Sequence, residues 1–178
     1  MFAFTRARRV ALALAAGTAL AVLPALPASA HVSVSSPDAV GGSNGTLLFR
    51  VPTESDTAST VALTIELPAD TPFRSVSALA MPGWTSSIER TTLAEPVEVA
   101  GSMLTEVASS ITFTTDGAGI APGEYGRFEV RVGPFPEAGG TFVFPATQTY
   151  SDGEAVAWAE VAAEGAAEPA HPAPSLTV

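Results

Sequence analysis

The feature that most restricts this chain is a series of short segments in which apolar and polar residues alternate. TLLFRVP at 46–52, STVALTIEL at 59–67, TEVASSITFTT at 105–115 and YGRFEVRVG at 125–133 carry it most clearly. Period-two alternation suits a strand with one buried face, whereas a helix repeats its apolar residues every three to four positions. HVSVSS at 31–36, RSVSALAM at 74–81, WTSSIERTT at 84–92, TFVFPATQTY at 141–150 and EAVAWAEV at 154–161 complete nine predicted strands. Between them stand Gly41-Gly42-Ser43-Asn44-Gly45, Pro82-Gly83, Asp116-Gly117, Pro122-Gly123 and Ser151-Asp152-Gly153, all turn material. Strands in this number and spacing predict an all-β fold, an antiparallel β-sandwich. Pro145, inside a strand-like run, predicts an edge or a bulge, because proline cannot donate to a ladder.

Residues 1–30 are predicted to be a signal peptide rather than part of the fold. Arg6, Arg8 and Arg9 form a basic start, an apolar stretch runs from Val10 to about Leu26, and Ala28-Ser29-Ala30 offers a peptidase site. Cleavage after Ala30 leaves 148 of the 178 residues, enough for one domain with a sizeable core. It also removes three of the 8 basic residues, moving the formal charge from −10 to −13. A chain so acidic makes nucleic acid an unsuitable partner, since binding a polyanion needs a basic footprint. With no cysteine, thiolate metal sites and thiol chemistry are excluded, so a metal would need nitrogen, oxygen or thioether donors. The expected domain spans 31–161. Residues 162–178, AAEGAAEPAHPAPSLTV, carry little apolar bulk and are expected to form a disordered tail or linker, with His171 an ordinary tail residue.

A cut before His31 changes what that residue can do. An amino-terminal histidine has a free α-amine, with an ordinary pKa of about 7.7–8.0, beside its own imidazole. Amine nitrogen and Nδ1 can close a chelate ring on one ion, and such donors favour Cu(II), with nickel or zinc chemically open. If the first two strands form a hairpin, Val32 and Val34 match the apolar face of Leu47, Phe49 and Val51. A turn centred at residues 42 and 43 then places Glu54 across from His31, outside the core. The plain alternative is a peptidase cut ahead of an ordinary polar strand residue.

Several longer motifs point the same way. The leader ends directly before HVSVSSPDAV, followed by LLFRVPTESDTASTVALTIELP, MPGWTSSIER, ITFTTDGAGIAPGEYGRFEVRVGPFP and QTYSDGEAVAWAEV. In this order, over nearly all of 31–161, the chain resembles the YcnI-like domain family of exported bacterial copper-binding proteins. The resemblance implies an immunoglobulin-like sandwich that binds Cu(II) in a monohistidine brace, with His31 as the bracing residue. It assigns Glu54 as the acidic ligand and Trp158 as the tryptophan beside the site. It also implies a secreted or cell-surface location, a part in copper homeostasis, acquisition or transfer, and copper-transport or copper-chaperone partners. In relatives a segment like EPAHPAPSLTV often precedes a membrane anchor. Two departures stand out: VPTE replaces the family's VPNE, putting Thr53 where an amide is usual, and Phe113 replaces a common tryptophan.

Other residues carry plainer readings. Trp158 suits a sandwich core as well as a site wall. Glu124, after Pro122-Gly123, is the second carboxylate considered as a ligand, against a role as a solvated turn residue. Met81 and Met103 are too few for a Cu(I) thioether site. No catalytic set emerges, because any Ser-His-Asp arrangement would need His31 as its base and lacks a nucleophile motif. The chain is therefore expected not to be an enzyme. The alternative to copper binding is a secreted, metal-free interaction or structural module.

Overall fold

The computed structural model describes residues 31–163, 165 and 167–178; the predicted leader, 1–30, lies outside them. Eleven strands are formed: β1 Ser33–Ser35, β2 Gly45–Pro52, β3 Thr60–Glu66, β4 Ser75–Ala78, β5 Trp84–Val99, β6 Ser102–Thr115, β7 Tyr125–Gly133, β8 Thr141–Val143, β9 Ala146–Tyr150, β10 Ala155–Trp158 and β11 Ser175–Thr177. One sheet has the order β1-β2-β7-β4, the second β10-β9-β3-β6-β5, and a small third pairs β11 with β8. All strand pairings are antiparallel, as the alternation predicted.

The sandwich closes over the inward faces that alternation selects. Leu47, Phe49 and Val51 of β2 and Phe128, Val130 and Val132 of β7 supply one inner face, all fully buried. Leu63 and Ile65 of β3 stand opposite Phe113 and Ile111 of β6 on the other. Phe128 joins the layers, its ring 4.9 Å from that of Phe113 and 5.0 Å from that of Trp84. Burying this apolar surface is the main force holding the two sheets together, at about 25 cal/mol per Å².

The β1–β2 hairpin has the expected facing but a shifted register. Val34 faces Phe49 and Ser33 faces Arg50, so the apolar sides match. Those pairs centre the turn between residues 41 and 42, one position earlier than expected, and continuing them brings His31 opposite Pro52 rather than Glu54. The cause lies in the loop. Asp38 accepts hydrogen bonds from Thr46 N at 2.8 Å and Thr46 Oγ1 at 3.0 Å, tying the loop between the strands to the first residues of β2. Those bonds, first of all the one from the Thr46 amide, hold the Asp38 carboxyl below its ordinary range.

Three further departures have physical causes. The run at 141–150 breaks at Pro145 into β8 and β9, which belong to different sheets; the proline marks a change of sheet, and its carbonyl accepts from Glu66 N at 2.8 Å. β5 and β6 run on past their predicted ends to a two-residue turn at Ala100-Gly101, both with positive φ, the geometry that suits hairpin twist. Leu93-Ala94-Glu95-Pro96 fall at a register shift in β5, where an edge strand tolerates proline.

The third concerns the segment expected to be a disordered tail. Its last residues form β11, and Leu176 and Val178 pack on the core. Gly140 and Val178 exchange backbone hydrogen bonds at 3.0 and 3.1 Å, and Phe144 N donates to Pro174 O at 2.8 Å. β8 has an open edge whose backbone groups need partners, and three alternating residues suffice to supply them. So short a strand is invisible beneath the Ala/Pro/Glu composition preceding it.

Candidate metal centre

His31 precedes β1, half-buried, with its ring centroid 5.7 Å from that of Trp158. Trp158 ends β10 and is completely buried. It is therefore a core residue that also packs against His31. His171 also packs against the indole, with ring centroids 5.3 Å apart and planes at 72°. The two histidines of the chain, 140 residues apart in sequence, thus share one indole.

What holds the indole is a buried chain of polar groups. Trp158 Nε1 donates to Gln148 Oε1 at 3.1 Å, and Gln148 Nε2 donates to Pro52 O at 2.9 Å and Thr60 Oγ1 at 2.7 Å. An indole N–H can only donate and a carbonyl can only accept, so the two partners fix the orientation of the amide. Thr53 Oγ1 donates to Ile120 O at 3.1 Å, leaving Thr60 to donate across the 2.9 Å hydroxyl pair with Thr53. Gly119 lets the Ile120 loop approach: its φ is +75°, and a Cβ there would stand 2.1 Å from Thr60 O. Every buried side-chain polar atom among the described residues finds a partner, so this end of the sandwich is rigid despite its polarity. Thr53, the departure from the family segment, is a working part of that network.

Among the described residues, the carboxylate paired with His31 comes from an unexpected place. Glu168 Oε1 lies 3.3 Å from His31 Nδ1. Glu54 is exposed just beyond β2, its backbone N–H 3.4 Å from Tyr150 Oη. Burial pushes the Tyr150 phenol above its ordinary pKa, and the Glu54 charge acts in the same direction. No hydrogen bond or ion pair joins Glu54 to His31 among the described residues. Glu124 works within its own turn: Oε2 accepts from Ala121 N at 3.3 Å, and its carbonyl accepts from Thr53 N at 3.0 Å.

Sequence reasoning missed three members of this cluster: Gln148, Glu168 and His171. A signal for the last two was present in EPAHP, where a carboxylate and the only other histidine past the leader stand three residues apart. Chemically, the cluster offers an imidazole with a carboxylate at its Nδ1, on a dry aromatic wall. Among the described residues no three His, Asp or Glu side chains gather as a complete cage. A metal here would need a further donor, such as the amine freed by cleavage, and His31 Nδ1 with a nearby oxygen suits Cu(II).

A family model described as "Domain of unknown function (DUF1775)" matches residues 31–178, running past the expected boundary at 161 to include β11. The copper-binding protein CutI of Bacillus subtilis (strain 168) is 28% identical over 132 residues, which is 74% of this chain and 56% of that protein. The chain thus spans about half the length of that relative. A crystal structure from Nocardia farcinica, described as having an immunoglobulin-like fold, is 43% identical with a TM-score of 0.69, covering 84% of this chain and 99% of the other. The fold is therefore immunoglobulin-like as well as antiparallel all-β. A cohesin module from a Clostridium perfringens ATCC13124 family 33 glycoside hydrolase shares the fold, with a TM-score of 0.50 and 13% identity over 83% of this chain and 93% of that module.

Proposed function

This chain belongs to the DUF1775 family, and on that premise we propose that it is an exported copper-binding protein holding Cu(II) at an amino terminus created by cleavage before His31. The observation that carries the reading is the place of His31, at the start of β1 with its ring against buried Trp158. Similarity to a protein named for copper binding supports it. His31 supplies Nδ1 and, once cleaved, the α-amine; Glu54 supplies an oxygen donor from the β2 end. Trp158, held by Gln148, keeps one side of the ring dry. Such a terminus would give Cu(II) a mixed nitrogen and oxygen shell, suited to capturing, buffering or passing the ion outside the cytoplasm to a copper-transport or chaperone protein.

A second reading is a metal-free interaction module, and side-chain geometry alone favours it. No three-residue ligand cage exists among the described residues, and Val97 and Met103 on the long β5–β6 hairpin are exposed. A groove of about 410 Å³ runs between the hairpin tip and residues such as Pro72, Phe135 and Glu137. The two readings separate in a Cu(II) titration followed by paramagnetic resonance. The samples are protein beginning at His31, its His31→Ala variant, and a form with one extra residue ahead of His31. Copper binding through the brace loses affinity and changes the spectrum in both altered forms. Binding unchanged in both altered forms rules out the brace, and no specific Cu(II) binding by protein beginning at His31 leaves the metal-free module.

A further inference from the structure

Three donors account for the proposed centre: two nitrogens of His31 and an oxygen of Glu54. We propose that Glu168, on the C-terminal segment, is a fourth donor of the same centre and the carboxylate that holds the His31 ring in place before the ion arrives. This rests on the copper-binding reading above and extends it to a part of the chain that the sequence placed in a disordered tail.

The distance supports a shared ion. Imidazole nitrogen and carboxylate oxygen bind a zinc-like divalent ion at about 2.0–2.2 Å, so two donors of one ion stand roughly 3–4 Å apart. His31 Nδ1 and Glu168 Oε1 are 3.3 Å apart. The carboxylate also lies against the one ring nitrogen that can chelate together with the α-amine. Because a carboxylate only accepts hydrogen bonds, its presence there favours the tautomer with the proton on Nδ1 in the metal-free protein. With an ion held at Nδ1, the ring proton would stand on Nε2, and the Glu168 carboxylate would be free to serve as an oxygen donor.

Glu168 is itself 70% exposed, and a surface contact alone would position it weakly. The chain after it supplies the missing restraint. Glu160, two residues past Trp158, forms a parallel bridge to Pro172. Its N–H donates to His171 O at 3.1 Å, its carbonyl accepts from Ala173 N at 2.8 Å, and its Oε2 accepts from His171 N at 3.1 Å. With the His171 ring on Trp158, the segment is fastened to β10 three residues beyond Glu168. It then runs along the open side of the sandwich as β11, touching β1. The strand that begins just after His31 and the end of the strap that carries Glu168 thus lie against each other.

The test uses protein starting at His31 and running to residue 178, with E168Q beside H31A. Glutamine keeps the size and removes the charge at an exposed position, so folding is preserved. In the metal-free state, the ¹⁵N signals of the His31 ring report its tautomer directly. They are expected to shift toward the Nε2–H form in E168Q. Cu(II) affinity, measured by competition with a chelator, is expected to fall about 10-fold or more in E168Q, as when a metal loses a supporting partner, with altered parallel g and hyperfine values. Ring signals and affinity both unchanged in E168Q, with affinity lost in H31A, overturn the Glu168 assignment alone. Affinity kept in both variants overturns the His31 copper centre as well.

Discussion

The two ends of this sandwich use the same kind of sequence to opposite effect. At the His31 end, β2, β3, β9, β10 and the C-terminal strap converge, and polar side chains are buried because each finds a partner. From the pairing of Arg90 with Ala108 outward, the β5–β6 hairpin continues as two strands without a third, and most of β5 is exposed. Both regions alternate in sequence, but only one has a layer to bury its face against. Strand character is therefore local, whereas rigidity comes from the number of elements that meet.

The sharpest way to break that contrast is Trp158→Ala. It removes a completely buried indole and orphans Gln148 Oε1, so the loss expected in urea unfolding is about 3–5 kcal/mol. Chromatographic or scattering signs of a collapsed His31 end should accompany it. Gln148→Leu keeps the apolar bulk but strips partners from Trp158 Nε1 and Pro52 O. The expected cost is about 1–3 kcal/mol for a buried group left unpaired, readable as a lower urea midpoint at unchanged slope. On the hairpin, Met103→Ser should change stability by no more than about 0.5 kcal/mol, the usual range for exposed sites away from special features. A loss at Met103 as large as that at Gln148 would show the arm to be part of the cooperative core and end the comparison.

Much of the site was legible from residues alone, for reasons that are local. Alternation assigned the buried faces of β2, β3, β6 and β7, and it made Val34 face Phe49 correctly, because parity survives an error of two in register. The position of His31 just ahead of the first strand was equally plain. Glu54 was placed opposite His31 because the turn was centred on its glycines, while the loop is tied to β2 by Asp38 through two bonds to Thr46.

What the sequence by itself determined is the all-β architecture and the inward faces, since each follows from the period-two pattern. Only the tertiary structure decided what surrounds His31. Glu168 reaches it from a strap beyond β10, while Gln148 from β9 and His171 from the same strap hold its neighbour Trp158; EPAHP marks donor residues but not where the fold carries them. The physical reason is that an open strand edge must satisfy its backbone groups. β8 does so by drawing in β11, and that pairing carries the C-terminal segment back across Trp158 to the beginning of the fold.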